Sequence, residues 1–201
     1  MKLQHFSAAT AELDISSFAV YITTMIRYLY KTPNILFIGI NPHQGSFSRG
    51  VPFSNNKMFW YLLSRAGLLE ESVDQLRDDY NLKKMYREKF NAAYKLGFVN
   101  LIDRPTRDIT LILKGEEEPG RKRASKIITK EKPPIICFVG KVSYEKFTGS
   151  KNFTFGWQDD IGASRAFVMH FPLRGKASVR IDELKEVAAA VKDHGRSHNK
   201  I

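Results

Sequence analysis

Residues 35–42 read Ile35-Leu36-Phe37-Ile38-Gly39-Ile40-Asn41-Pro42, and the fold class follows from this stretch. A short, continuous apolar run predicts a strand buried on both faces, as in a parallel sheet covered by helices. Pro42 lacks a backbone N–H and ends the run. Asn41 is therefore placed at the C-terminal end of a buried strand, where open α/β sheets bind their ligands.

Outward from this stretch, apolar runs at 97–102, 135–139 and 166–171 predict three further strands. Helical patterns separate them. Residues 15–29 repeat apolar side chains at helical spacing, with Asp14 as the cap. Residues 58–66 begin a helix stopped by Gly67. Residues 73–95 are charged and periodic, with Leu82, Met85, Tyr86 and Phe90 inward. Residues 114–123 read as a surface loop, 121–129 as a basic helix, and the segment after Gly140-Lys141 as a helix through Tyr144 and Phe147. A last helix places Ile181, Leu184, Val187, Ala188 and Val191 on one side. The Gly/Ser/Asn-rich stretch 43–57 is too long for a simple connection. Strands alternating with helices imply an α/β fold with a mostly parallel sheet and helices on both faces. Polar or glycine residues near Asn41, Asp103, Gly140 and Pro172 then converge on one sheet edge.

The chain has 201 residues, 43% of them hydrophobic, and a formal net charge of +11. That length suits one domain with a sizeable core. An excess of positive charge this large points to a polyanion, nucleic acid first and an anionic membrane second. Cys137 is the single cysteine; it excludes an intrachain disulfide and fits a reducing compartment. Its apolar neighbours suggest packing rather than reactivity. The five histidines show no metal-binding spacing. No apolar run approaches the ~20 residues of a membrane span, and the N-terminus does not read as a secretory signal.

Asn41 offers a carbonyl acceptor and two amide donors but does not ionise. It can position a water without deprotonating it strongly, which suits cleavage of an N-glycosidic bond whose base leaves readily. Equally, it can cap the turn before Pro42. Phe53, after Pro52, either stacks on a planar base or anchors the long loop in the core. Residues 172–178 combine a glycine, two cations and a serine near a helix N-terminus. That suits phosphate binding or a wedge into a duplex, or a solvated basic loop. Gly140-Lys141 is a weaker instance of the same pattern and not a Walker motif. Arg121-Lys122-Arg123 reads as a phosphate patch, a nuclear address or a solvated helix face.

Gly39-Ile40-Asn41-Pro42, Pro52-Phe53, Phe59-Trp60, Leu101-Ile102-Asp103-Arg104-Pro105-Thr106 and Val139-Gly140-Lys141 with Tyr144-Glu145 follow one another in this order. Together they resemble the mismatch-specific uracil/thymine DNA glycosylases, a branch of the uracil-DNA glycosylase superfamily, over residues 35–192. The resemblance implies a three-layer α/β/α sandwich and excision of uracil, preferentially from G·U mismatches, with thymine and other damaged bases as further substrates. It implies no metal or redox cofactor. It makes Asn41 the water-positioning residue and Phe53 the aromatic that stacks on the flipped base. Gly39, Ile40 and Ser46 complete the base pocket. Arg174, Gly175, Lys176, Ala177 and Ser178 become a wedge and phosphate loop, with Lys176 as the wedge and Lys141 as a further phosphate contact. A serine at 46 leaves little room for a thymine methyl. Departures are His43-Gln44 in place of Gly-Leu, Lys57 in place of asparagine, and Pro172-Leu173-Arg174 in place of Pro-Ser. The resemblance implies a monomer acting on double-stranded DNA that carries deaminated or mismatched bases, inside the cell with the DNA and away from membranes. A single domain is expected, with a helical extension at 1–33, a glycosylase core at 35–192 and a fraying tail at 193–201. The rival from another class is a non-catalytic lesion-binding module on the same fold.

Overall fold

The computed structural model describes residues 25–198, with side chains through residue 192. Five strands form one sheet: β1 (Ile35–Gly39), β2 (Leu96–Asn100), β3 (Ile135–Val139), β4 (Gly156–Ile161) and β5 (Ser164–Met169). Their spatial order is β2-β1-β3-β5-β4. The first three and β5 are parallel, and β4 returns antiparallel on β5. Helices α1 (Gln44–Arg49), α2 (Met58–Arg65), α3 (Val73–Arg77) and α4 (Asp79–Glu88) connect β1 to β2. Helix α5 (Glu118–Glu131) connects β2 to β3, α6 (Lys141–Thr148) follows β3, and α7 (Ala177–His198) follows β5.

Strands β1, β2 and β3 are buried at every position, as their unbroken apolar character requires. Alternate side chains serve opposite layers. Ile35, Phe37, Cys137, Val139, Phe167 and Met169 pack with Phe59, Trp60, Leu62, Tyr86, Phe90, Leu184 and Val187. Leu36, Ile38, Val99, Ile136, Phe138 and Val168 pack with Ala124, Ile127, Ile128 and Tyr144. The result is the three-layer α/β/α sandwich. Cys137 is fully buried, and burial pushes its thiol up, so it packs as a small apolar side chain.

Several expectations are corrected. The helix expected over 15–29 lies largely outside the described residues. Its last part is not helical: Leu29 forms an antiparallel bridge with Phe98 and covers the open edge of β2. The single helical stretch expected over 73–95 divides at Asp78, which ends α3 and caps α4 by accepting the Asn81 N–H. The loop expected at 114–123 is already α5 from Glu118. The stretch 43–57 contains the short helix α1, capped by His43, whose Nδ1 accepts the Gly45 N–H at 3.1 Å. Strand β4 carries no apolar run to announce it; it is a half-exposed edge strand turned back through Gly162 at φ +64°. Helix α7 continues to His198.

Candidate active site

Strand order reverses at β1, which has β2 on one side and β3 on the other. Connections leave the two central strands in opposite directions there, which opens a crevice at their C-terminal ends. The segments after β1 and β3, Ile40-Asn41-Pro42 and Gly140-Lys141, lie at that switch point.

Parallel pairing continues past β1 and β2 as loop-to-loop bonds. Leu101 N–H donates to Gly39 O at 3.0 Å, Ile102 N–H to Ile40 O at 2.8 Å and Thr106 N–H to Pro42 O at 3.1 Å. Asn41 is therefore drawn against the Asp103–Thr106 turn. Its Nδ2 donates to Thr106 Oγ1 at 2.8 Å, to Pro42 O at 3.3 Å and to Arg104 O at 3.5 Å. Thr106 is buried, and its hydroxyl donates to Asp108 O at 2.8 Å. A carbonyl only accepts, so the one hydroxyl proton is committed to Asp108. Oγ1 must then accept from Asn41, which fixes which end of the amide faces Thr106. Oδ1 is left as the remaining polar atom of Asn41, an acceptor without a partner in these bonds. The two readings of Asn41 are thus compatible: it ties two loops through its nitrogen and keeps its oxygen in reserve.

Thr106 fixes the orientation of the Asn41 amide through its hydroxyl. Thr106→Val removes the hydroxyl and strands both the Asn41 amide and Asp108 O, while Thr106→Ser keeps it. We expect single-turnover base release to fall roughly ten- to a hundredfold in the valine variant, the kinetic equivalent of about 1–3 kcal/mol for an unmade hydrogen bond. The serine variant should stay near the parent rate. Equal losses in both would assign the effect to packing and remove the hydroxyl relay.

Phe53 is half-buried. It lies against Phe59 at 4.5 Å between ring centroids and edge-on to Phe98 at 5.4 Å. Its φ of +54° is uncommon for a residue with a bulky side chain, and the bend is secured by Trp60 Nε1 donating to Pro52 O at 2.7 Å. One ring face is therefore held by the core while the residue stays partly open. Ser46 is buried in α1, and its hydroxyl accepts the Asn55 N–H at 2.9 Å. Gly39 pairs with Asn100 across β1 and β2; a Cβ on Gly39 would lie 2.4 Å from Asn100 Oδ1. Ile40 follows it, half-buried.

Asn100 was missed in the sequence: it ends β2, but Leu101-Ile102 follow, so the amide interrupts the apolar run instead of closing it. It is 2% exposed. Its side-chain amide reaches the Tyr28 hydroxyl, and its backbone carbonyl accepts from Arg123 Nη2 at 2.8 Å. Beside it, Arg123 forks onto Asp103 at 2.6 and 2.8 Å, and Tyr28 donates to the same carboxylate at 2.9 Å. Burial first, and Asp103 second, push the Tyr28 hydroxyl well above its usual range. Tyr28, Asp103 and Arg123, with Met25, Ile26, Pro42 and Phe47, line a cleft of about 220 Å³. Of Arg121-Lys122-Arg123, Arg123 is engaged with Asp103, and Arg121 pairs along its own helix with Glu118 at 2.7 Å.

The segment after β5 presents Leu173, Arg174, Gly175, Lys176 and Ser178 at the surface, with Ala177 half-buried at the start of α7. Gly175 takes φ +77°, which glycine adopts without strain. Arg174 faces Asp108, whose carboxyl is held below its usual range by bonds from Thr110 and then by that cation. The turn after β2 and the loop after β5 therefore adjoin. Lys141 is exposed, with Nζ 4.8 Å from the Phe155 ring centroid. Phe155 stacks on His170 at 3.5 Å, and His170 Nδ1 lies 2.5 Å from Glu183 Oε1. Lys57, a departure noted in the sequence, pairs with Asp79 at 2.5 Å, while Asn56 Oδ1 accepts the Met58 N–H at the start of α2.

Among the described residues, no group of three or more His, Cys, Asp or Glu side chains is arranged to hold a metal ion. No helix among them is long and apolar enough to cross a membrane.

The fold and site together define an α/β protein with an uncharged amide at its switch point and basic loops around it. The model of the uracil DNA glycosylase superfamily matches residues 12–186, and the chain belongs to that superfamily. The match extends upstream of the motif-based resemblance, into residues that precede β1. Membership supports DNA glycosylase chemistry, the hydrolysis of a base from DNA, and DNA as the partner.

Proposed function

We propose that this protein is a monofunctional glycosylase of the mismatch-specific uracil/thymine type. It takes uracil out of a G·U mismatch in double-stranded DNA and hydrolyses the N-glycosidic bond to leave an abasic site. The observation that carries the reading is the amide of Asn41, locked at the end of β1 against the Thr106 turn, with the half-open ring of Phe53 held against Phe59 and Phe98 in support. The flipped base stacks on Phe53. Backbone groups of Ile40 and Phe53 hydrogen-bond its edge, and Asn100, buried beside Gly39, supplies an amide complementary to a pyrimidine edge. Gly39 keeps that wall free of a side chain.

An amide cannot take a proton from water as a carboxylate would. The bond must therefore break largely through departure of the base, with the developing anion stabilised by hydrogen bonds. Asn41 Oδ1 holds the water that captures the electron-poor sugar. Normal paired bases leave poorly and cost more to extrude, so selectivity follows from the same weakness. Arg174, Gly175, Lys176, Ala177 and Ser178 form the wedge and backbone contacts, with Lys176 filling the vacated stack. Lys141 meets a phosphate. The protein acts as a monomer, inside the cell with the DNA. One domain suffices, with residues 35–192 as its glycosylase core.

Base release from labelled duplexes carrying G·U, A·U and G·T, and from single-stranded uracil, tests this reading. G·U should be the best substrate. G·T should be slower because Ser46 crowds the position of the thymine methyl; equal single-turnover rates on the two would remove the Ser46 argument. Binding to the duplexes without release from any of them would establish the non-catalytic module instead.

A further inference from the structure

Arg180 is 4% exposed, and no other charged residue among those described is buried as deeply. It lies in the first turn of α7, and helical side chains lean toward the N-terminus. Its guanidinium accordingly reaches back beneath the 173–176 segment. Nη2 donates to Gly175 O at 2.8 Å, and a Cβ on Gly175 would lie 3.5 Å from Nη1. Nε is buried and has no hydrogen-bond partner. Among the described residues no carboxylate pairs with this side chain.

The contrast with the structural arginines is direct. Arg104 grips Glu116 at 2.5 and 2.7 Å, and Arg123 grips Asp103. Arg180 has one carbonyl and no counter-ion. A guanidinium does not shed its charge by deprotonation. Burying it unpaired is costly, and such a cost persists where a ligand supplies the missing anion. The surroundings suit an anion: the N-terminus of a 22-residue helix, with exposed Arg174 and Lys176 on the adjoining loop.

We infer that Arg180 is a backbone-phosphate site for DNA, seated under the 173–176 loop at the N-terminus of α7. Nη1 and the second proton of Nη2 form, along the edge they share, the two-pronged contact to phosphodiester oxygens that guanidinium geometry favours. The single bond from Nη2 to Gly175 O ties this contact to the loop that carries Lys176. A phosphate bound here therefore sets the height of the wedge residue. The inference rests on the DNA-glycosylase reading for its ligand, but not on catalysis.

The test uses the full chain, a G·U duplex, and variants Arg180→Met and Arg180→Lys. Binding is followed by fluorescence anisotropy over a series of salt concentrations. Arg180→Met should weaken the duplex complex roughly tenfold and reduce the slope of log K against log salt by about 0.9, one phosphate contact. Its melting temperature should hold or rise, because an unpaired buried charge is replaced by an apolar chain of similar length. Arg180→Lys should keep the slope but lose affinity, since the fork is gone. An unchanged slope in Arg180→Met, or a lowered melting temperature with unchanged affinity, overturns the inference and leaves Arg180 a packing residue. If inorganic phosphate alone stabilises the parent but not Arg180→Met, and duplex affinity is equal in both, the site is for a free anion and the DNA assignment fails. Base release is read in the same samples. A parent protein that binds with the full slope but releases no base removes the glycosylase reading and leaves Arg180 in place.

Discussion

Asn41→Ala should lower single-turnover base release from a G·U duplex roughly a thousandfold, within the range for losing a group positioned at the reacting atoms. That is about 4 kcal/mol of transition-state stabilisation. Duplex binding should be retained, because the proposed wedge and phosphate contacts lie on other loops. The size of the effect follows from how the amide is held. Three hydrogen bonds from Nδ2 pin its nitrogen end, so the oxygen is presented without an entropic cost at the moment of reaction. Asn41→Asp adds a charge and forces Thr106 Oγ1 to face an acceptor in place of a donor. That substitution should also lose activity, although a carboxylate is the stronger base. Full activity in Asn41→Ala would mean that the water is held elsewhere.

Gly120→Ala should be the most damaging glycine-to-alanine change among the described residues. A Cβ at this position would lie 1.6 Å from the Leu101 carbonyl oxygen and 2.3 Å from its carbon. Backbone cannot rotate away as a side chain can, so α5 must shift outward or the end of β2 must move. Overpacking of this kind costs about 3 kcal/mol, a fall of roughly 6–12 °C in melting temperature for a domain of this size. The same contact makes the variant a test of how the site is built. Leu101 follows Asn100 and donates to Gly39 O, so displacement there moves both site amides. Thermal unfolding should show the loss, and base release measured well below the new midpoint should fall too. A variant as stable as the parent would show that α5 can retreat without cost. Gly39→Ala is the milder companion, since the atom it meets at 2.4 Å belongs to the Asn100 side chain.

Much of this fold was readable because the central strands are buried on both sides. Residues 35–40 and 135–139 have no polar interruption, and only a covered parallel sheet accepts such runs. Strand β4 was not readable, because an edge strand with Gln158, Asp159 and Asp160 needs no apolar face. Helix α1 was hidden in a Gly/Ser-rich stretch and depends on the His43 cap. The break at Asp78 was masked by helical spacing that continues in register on both sides.

The site divides in the same way. Asn41 is legible because an amide ends an apolar run and a proline follows. Asn100 passed unread, since Leu101-Ile102 carry the apolar run past it and no proline marks it. Thr106 belongs to a recognisable motif, but its relay to Asn41 joins residues 65 apart in sequence. Phe53 left two readings open, and the structure shows one ring face packed on Phe59 and the residue half-buried.

What the sequence by itself determined is the alternation of strands and helices, the polar strand ends and the excess of positive charge. These are local properties, set by periodicity, by proline and by composition. Only the tertiary structure decided which charges are engaged and which are alone. Arg123 reads like any member of a basic patch until Asp103 is found in its fork, and Arg180 reads like any cation in a helix until its guanidinium is found buried without an acid. The physical reason is that pairing and burial depend on distances between segments remote along the chain, and no local pattern encodes which side chain arrives beside which.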